Sequence, residues 1–98
     1  MSKAKFTKGE WTKVEHLYNG SFEVVSCHSG DRIAYLNQGG ENASLMVTAP
    51  EMYEMLEYNR KAWVNLVDFG LINKNYEKDA YVIIAKIEGL LAKARGEL

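Results

Sequence analysis

The sequence predicts an α+β fold, a three-stranded antiparallel β-meander followed by a short helix and an α-helical hairpin. Before Asn42, runs rich in β-branched and aromatic residues are separated by turn residues, whereas after Pro50 the apolar residues recur at helical spacing. The 98 residues are 47% hydrophobic and 26% charged, which is typical of one globular domain. We therefore expect one α+β domain over residues 10–98, preceded by a flexible N-terminal tail of residues 1–9.

Two turns divide the N-terminal half into three predicted strands. Asn19-Gly20 favours a tight hairpin, because both residues tolerate the positive φ angles of such a turn. It separates strand-like runs at 12–18 and 21–28, and a second turn, Ser29-Gly30-Asp31, leads into a third run at 32–37. Strands joined by such short turns pair as an antiparallel meander.

The register of the first hairpin is open between two alternatives. A two-residue loop places Val14 opposite Val25, whereas a three-residue loop places it opposite Val24. The core face of the sheet is predicted to draw on all three strands, from Val14, Phe22 or Val25, Val24, Ile33 and Tyr35. Gln38-Gly39-Gly40 should then end the sheet, because paired glycines do not hold a strand.

A short helix is predicted to begin at Glu41 or Asn42. Leu45 and Met46 are expected to be its first buried pair. It should be broken or bent before Pro50, because the residue that precedes a proline avoids the α-helical region.

The second helix is predicted to start with the capping box Thr48-Ala49-Pro50-Glu51, in which the Thr48 hydroxyl accepts a free backbone N–H. Gly70 is expected to end this helix. One face is apolar, and its residues are Met52, Leu56, Ala62, Trp63, Leu66 and Val67, with Met55 at the edge.

The third helix is predicted from a periodic run near the C-terminus. Apolar residues step by 4, 3, 4, 3 and 4 through Tyr76, Ala80, Ile83, Ile87, Leu90 and Ala94. The rival prediction is a strand over 80–85, because Val82 and its two isoleucine neighbours are β-branched. The length of the periodic run favours the helix.

Charge and cysteine content exclude several classes of protein. Twelve basic and thirteen acidic residues give a net charge of −1, so no overall field attracts nucleic acid or anionic lipid. One cysteine, Cys27, excludes an internal disulfide, and no run of apolar residues is long enough to span a membrane. We expect a protein of the reducing cytoplasm with no membrane partner.

The residues that could bind metal or act as nucleophiles are too few and too scattered. His16 should lie roughly 16 Å from His28 along the sheet, at ~3.3 Å per residue. Cys27 and His28 are strand neighbours that point to opposite faces, which leaves His28 with Asp31 as the only pairing. We therefore predict no catalytic residue, no metal, no cofactor and no enzymatic activity.

The helices carry more apolar surface than one neighbour needs. Tyr53 and Tyr58 flank the stripe of the second helix, and Tyr81, Ile84 and Leu91 form a second stripe on the last helix. One interpretation is that the sheet covers one stripe and the partner helix the other. The alternative is that these five residues belong to an interface with another protein or with a second copy of the chain.

Two further functions are kept as alternatives. A nucleic-acid-binding protein would use the sheet and the basic tail, with contacts from Lys3, Lys5, Lys8, Trp11, Arg32 and Tyr35. A small enzyme or nucleotide-sequestering protein would instead need a polar pocket between the sheet and the helices.

The segment from Glu41 to Leu56 resembles a pattern common in short proteins of tailed bacteriophages and prophages, roughly N-A-x-L-I-x-x-A-P-E-L-x-x-x-L. Met46 replaces the usual isoleucine and Met52 the usual leucine. The closing run Leu91-Ala92-Lys93-Ala94-Arg95-Gly96 is also similar to the end of such chains. The resemblance implies that Asn42 caps a helix, that Pro50 redirects the chain, and that no catalytic residue is carried over.

The resemblance also implies a phage or prophage protein of unknown function that is expressed in the cytoplasm of a bacterial host. Together with the absence of a catalytic set, it leads us to expect a non-catalytic accessory protein that acts by protein–protein interaction. Its expected partner is a host or defence factor, another phage protein, or a second copy of itself.

Overall fold

The computed structural model describes residues 6–37 and 39–97. Its elements in chain order are β1 (Trp11–His16), β2 (Ser21–Ser26), β3 (Arg32–Leu36), α1 (Gly40–Val47), α2 (Ala49–Asp68), a 3-10 turn (Lys74–Tyr76) and α3 (Glu77–Ala94). The predicted α+β fold is confirmed. The described residues group into two compact units, 6–52 and 53–97. Most of the predicted tail, residues 1–5, lies outside the described residues.

The first unit contains an antiparallel sheet in the order β1-β2-β3, as a meander requires. Val14 pairs with Glu23, so both predicted registers of the first hairpin were wrong. The loop has four residues, 17–20, because the Asn19 side chain accepts hydrogen bonds from the Ser21 amide at 3.0 Å and its hydroxyl at 2.7 Å. These bonds hold Asn19 in a wider turn. The backbone carbonyl of His16 closes this turn by accepting a hydrogen bond from the Gly20 amide at 2.8 Å.

The register between β2 and β3 contains a bulge. Val24 pairs with Ala34 and Val25 pairs with Arg32, so Ile33 is an extra residue without a partner in β2. An extra residue reverses the alternation of side chains on its own strand. The bulge therefore decides which β3 side chains share a face.

Helix α1 covers one face of this sheet. Ala43 and Val24 are fully buried, and Lys13 Nζ donates to Ser44 Oγ at 2.7 Å. The Gly40 backbone lies against the Phe22 ring, since an added Cβ would stand 2.9 Å from Phe22 Cζ. Contact at this distance requires the glycine.

Several predicted core positions of the first unit need correction. Val24 is buried as predicted, but Val14 and Tyr35 are exposed because they stand on the face opposite α1. Leu45 is also exposed, and Ala43 is the residue that α1 buries, on the side on which Gly40 meets Phe22 and Ser44 meets Lys13. Gly39, in the left-handed conformation at φ 90°, precedes this helix, so Asn42 is not its cap.

The break between α1 and α2 is confirmed, whereas the predicted capping box is wrong. Thr48 lies between the two helices with φ −87° and ψ −7°. An N-cap needs an extended backbone, and Thr48 is nearly helical. Its hydroxyl therefore points back into α1 and donates to the Leu45 carbonyl at 2.8 Å.

The second unit is an antiparallel helical hairpin. Tyr53 near the start of α2 contacts Arg95 at the end of α3. Seven residues further along α2, Arg60 pairs with Glu88 of α3. The buried side chains of α3 step by 4, 3 and 4 residues, and they are Ala80, Ile84, Ile87 and Leu91. The rival strand over 80–85 is excluded, because this segment lies inside α3.

The face that α3 buries is not the one that its periodicity predicted. Leu91 is 1% exposed and Leu90 is 53% exposed, although Leu90 belonged to the predicted core stripe. Tyr76 is likewise exposed, while Ala80 and Ile87 are buried as predicted. The buried stripe is thus displaced from the predicted one, and the two neighbouring stripes are both apolar.

Arg95 ties the two ends of the hairpin together. Its Nε and Nη2 donate to the two carboxylate oxygens of Glu97 at 3.0 and 3.1 Å, and Nη1 donates to the Tyr53 hydroxyl at 3.4 Å. The bonds to Glu97, and then the bond to Tyr53, raise the pKa of Arg95 above its ordinary value. An arginine guanidinium is charged at neutral pH, and these bonds favour its charged form further.

Gly70 ends α2 as predicted. It adopts φ 67°, and the Leu71 amide donates back to the Leu66 carbonyl at 2.9 Å. This left-handed residue and the long backward bond form a Schellman motif. Among the described residues, none of the helices has the length and the apolar character that crossing a membrane requires.

Candidate functional site

The structure separates the five predicted interface residues into two groups. Tyr53, Ile84 and Leu91 are buried within the chain, where they pack the helical hairpin. Tyr58 is 70% exposed and Tyr81 is 54% exposed. Of the five side chains, three are therefore buried within the chain and two remain on the surface.

The six predicted nucleic-acid contacts do not form one surface. Lys3 and Lys5 lie outside the described residues, and Lys8 is exposed. Trp11 lies on the α1 side of the sheet, because Trp11 and Lys13 are two residues apart in β1 and therefore share a face. Its indole N–H donates to the Thr7 carbonyl at 3.0 Å. Arg32 and Tyr35 point from the opposite face, so Trp11 cannot join them on one ligand.

The face opposite α1, here called the open face, carries a cluster of charged and aromatic side chains that contact one another. Val14, Glu23 and Tyr35 are direct cross-strand partners and form a row across the three strands. Val14 is 42% exposed and Tyr35 is 47% exposed. Neighbouring side chains in a sheet row lie about 5 Å apart, so the row is one continuous surface.

Glu23 is the electrostatic centre of the open face. Its Oε1 lies 2.5 Å from Arg32 Nη2 and 3.5 Å from His16 Nε2. The Arg32 guanidinium carbon also lies 5.6 Å from the centroid of the Tyr35 ring, within the range of a cation–π contact. The arrangement holds an exposed arginine in a fixed position and balances its charge with a largely covered carboxylate.

Sequence reasoning missed Glu23 and the grouping of Arg32 with Tyr35. Glu23 lies in the central strand between two apolar residues, Phe22 and Val24, and an isolated charge at such a position was the available signal. The pairing of Arg32 with Tyr35 depends on the bulge, for which the local sequence offers no signal.

The residues considered for metal binding come from two places: His16 lies in β1, whereas Cys27, His28 and Asp31 lie between β2 and β3. Within the ranges 6–37 and 39–97, no three His, Cys, Asp or Glu side chains are grouped closely enough to hold a metal ion. Cys27 is an exposed free thiol, and its amide donates to the Glu10 carbonyl at 2.9 Å. His16 lies beside Glu23 and makes an edge-on contact with the Tyr18 ring.

A protein-family model described as Salmonella phage P22 protein Y8K6 matches residues 1–98. The chain belongs to this phage family. No curated protein and no solved structure matches the chain. Membership of the Y8K6 family confirms the predicted phage origin, and the shorter sequence pattern around Pro50 stays a prediction.

The open face therefore belongs to a protein of a phage family. Its exposed tyrosine and arginine are of the types that are enriched at interfaces between proteins. Contacts between neighbouring strands hold these side chains together.

Proposed function

We propose that this phage protein is a non-catalytic accessory protein that binds another protein, a host or defence factor, through its open face. The observation that supports this most directly is the Arg32–Tyr35 contact, which lies beside the exposed row of Val14 and Tyr35. Tyrosine and arginine are enriched among the residues that dominate binding energy at protein interfaces. Side chains that are already positioned also lose less conformational entropy on binding.

The charges of the open face favour a protein partner over nucleic acid. Arg32 is paired with Glu23, so among the described residues of this face no lysine or arginine is free of a carboxylate. Nucleic-acid affinity depends on cations that neutralise phosphates, and the Glu23 carboxylate would repel the phosphates. A protein surface can instead match the arginine, the carboxylate and the apolar row together.

A second copy of the chain is the other candidate partner. Tyr58 and Tyr81 leave exposed aromatic surface on the hairpin, and homodimer interfaces are rich in such surface. Light scattering at several protein concentrations decides this: a mass that stays at 11.1 kDa excludes the dimer.

Site-specific photo-crosslinking in a bacterial host tests the proposal. A benzophenone amino acid is placed at position 35 in one variant and at position 81 in another. Tyr81 is the matched control, since it is also a tyrosine, is similarly exposed and lies in the other unit. We expect a discrete crosslinked protein from position 35 that disappears when Arg32→Ala is added.

Each outcome of the crosslinking has a defined meaning. A product from position 81 alone would assign binding to the helical hairpin and overturn the assignment to the open face. No product from either position, in chains that circular dichroism shows to be folded, would overturn protein binding by these surfaces.

A further inference from the structure

A cleft of about 350 Å³ opens at the end of the helical hairpin where α2 passes into α3. Its walls are mainly apolar and come from Trp63, Leu71, Ile72, Tyr76, Ala80 and Ile83, with Asn73 and Asp79 as the polar lining residues. Ligand sites are typically clefts of roughly 300–1,000 Å³ with apolar walls and a few polar groups. This cleft therefore lies at the small end of the size range of binding sites and has their composition.

Asp79 is the only charged residue in the lining of this cleft. Within the described part of the chain, no Lys, Arg or His nitrogen lies within 4.0 Å of its carboxylate. The Asn73 side chain, by contrast, already accepts a hydrogen bond from the Asn75 amide at 2.9 Å. Asp79 is thus the group in this cleft that is left to bind a positive charge.

The walls contain two aromatic side chains that a cation could contact. Trp63 is half-buried and Tyr76 is exposed, so the cleft offers indole and phenol surface to a ligand that enters from solvent. A cation beside an aromatic face gains electrostatic attraction, and most strongly at tryptophan. Aromatic walls beside one carboxylate match a ligand with a long apolar stem and a positive end.

We propose that this cleft receives an arginine side chain of a partner protein, with the guanidinium against Asp79 and the methylene stem on the aromatic walls. Arginine fits better than lysine because its planar guanidinium stacks on aromatic rings and makes two parallel hydrogen bonds to one carboxylate. The site is independent of the open face, because none of its residues lies in the sheet.

Two capped pentapeptides provide the test, one with a central arginine and one with citrulline, which keeps the shape and lacks the charge. The readout is the NMR signal of the Trp63 indole N–H in the full chain, assigned with a Trp11→Phe variant. We expect saturable shifts with the arginine peptide, and a Kd at least tenfold weaker with the citrulline peptide. A third peptide, with lysine, should bind more weakly than the arginine peptide.

Two variants control for charge and for helix stability. Asp79→Asn should weaken binding of the arginine peptide at least tenfold. Glu77→Gln is the matched control, since Glu77 also lies in the first turn of α3 but does not line the cleft. It should change the Kd less than twofold.

Three results would overturn the arginine site. They are equal affinity for the citrulline or lysine peptide, unchanged affinity after Asp79→Asn, and no Trp63 shift at millimolar peptide. The peptide comparison uses the unaltered chain, so it stands even where a variant fails to fold. If the peptides do not bind the cleft, the crosslinking result at position 35 still stands. If no crosslink forms at position 35, the result of the peptide titration still stands.

Discussion

Arg32 and Tyr35 share one face of the sheet although they lie three residues apart in β3, where strict alternation would place them on opposite faces. The contact exists because Ile33 is an extra residue in the ladder, which returns Arg32 to the side of Tyr35. The same shift brings Arg32 to Glu23 of the central strand. One bulge thus assembles the electrostatic part of the open face.

Glu23→Gln should disturb the open face and leave the fold almost intact. Arg32 is mostly exposed, so loss of this ion pair should lower the free energy of unfolding by less than about 1 kcal/mol. Urea denaturation measures this, with Glu15→Gln as the control because Glu15 makes no ion pair with another described residue. A loss above about 2 kcal/mol would show that Glu23 is structural.

Alanine at Gly40 and at Gly89 should change stability in opposite directions. The new methyl at position 40 would meet the Phe22 ring, so Gly40→Ala should cost about 1 kcal/mol. No atom lies within 4 Å of the corresponding position at Gly89, in the middle of α3, so Gly89→Ala should stabilise by roughly 0.5–1 kcal/mol.

Thermal and urea unfolding of the two glycine variants provide the measurement. Phe22→Leu should relieve part of the cost of Gly40→Ala, because it removes the ring atoms that the methyl meets. Equal gains at both glycines would contradict the close contact between α1 and the sheet.

Truncation of Tyr53 should be far more costly than truncation of Tyr58. Tyr53 is 6% exposed and Tyr58 is 70% exposed, so Tyr53→Ala should lower the free energy of unfolding by about 3 kcal/mol or more. Tyr58→Ala should stay within about 0.5 kcal/mol. Tyr53→Phe keeps the ring and loses the bond from Arg95, so its effect should be the smaller of the two Tyr53 changes. Similar losses for both alanine variants would refute the orientation of α2.

Leu91 and Leu90 are adjacent in α3 and should respond very differently to alanine. Leu91 is almost completely buried, and its truncation should cost about 2–5 kcal/mol. Leu90 is half exposed, and its truncation should cost under about 1 kcal/mol. Denaturant midpoints of the two variants, compared at equal slope, are the measurement. A larger loss of unfolding free energy at Leu90 would show that α3 buries the stripe that its periodicity predicted.

The order and type of the elements could be predicted because local signals agree with the fold. The glycine at position 70 ends a helix in both the prediction and the structure, and the apolar period identifies α3 against the rival strand. A helix break near Pro50 was also predicted, although it falls at Thr48, and Ala49, which precedes the proline, already belongs to α2.

The faces and the register could not be predicted because they depend on contacts between elements. Ile83 and Ile84 are both apolar, so the sequence cannot say which of the two neighbouring stripes of α3 meets α2. The first hairpin has a four-residue loop in which the Asn19 side chain accepts two hydrogen bonds from Ser21. Asparagine can make such side-chain bonds in loops of several lengths, so the sequence does not decide the length of this loop. The bulge at Ile33 has no local signature, and the candidate site depends on it.

The double hydrogen bond between Arg95 and Glu97 has a consequence for the chain that follows α3. Arg95 binds both side-chain oxygens of Glu97, and the Glu97 amide donates to the Ala92 carbonyl at 2.9 Å, so this residue is fastened to the last turn of the helix from its side chain and from its backbone. Hydrogen exchange at the Glu97 amide should therefore be slower in the unaltered chain than after Arg95→Ala.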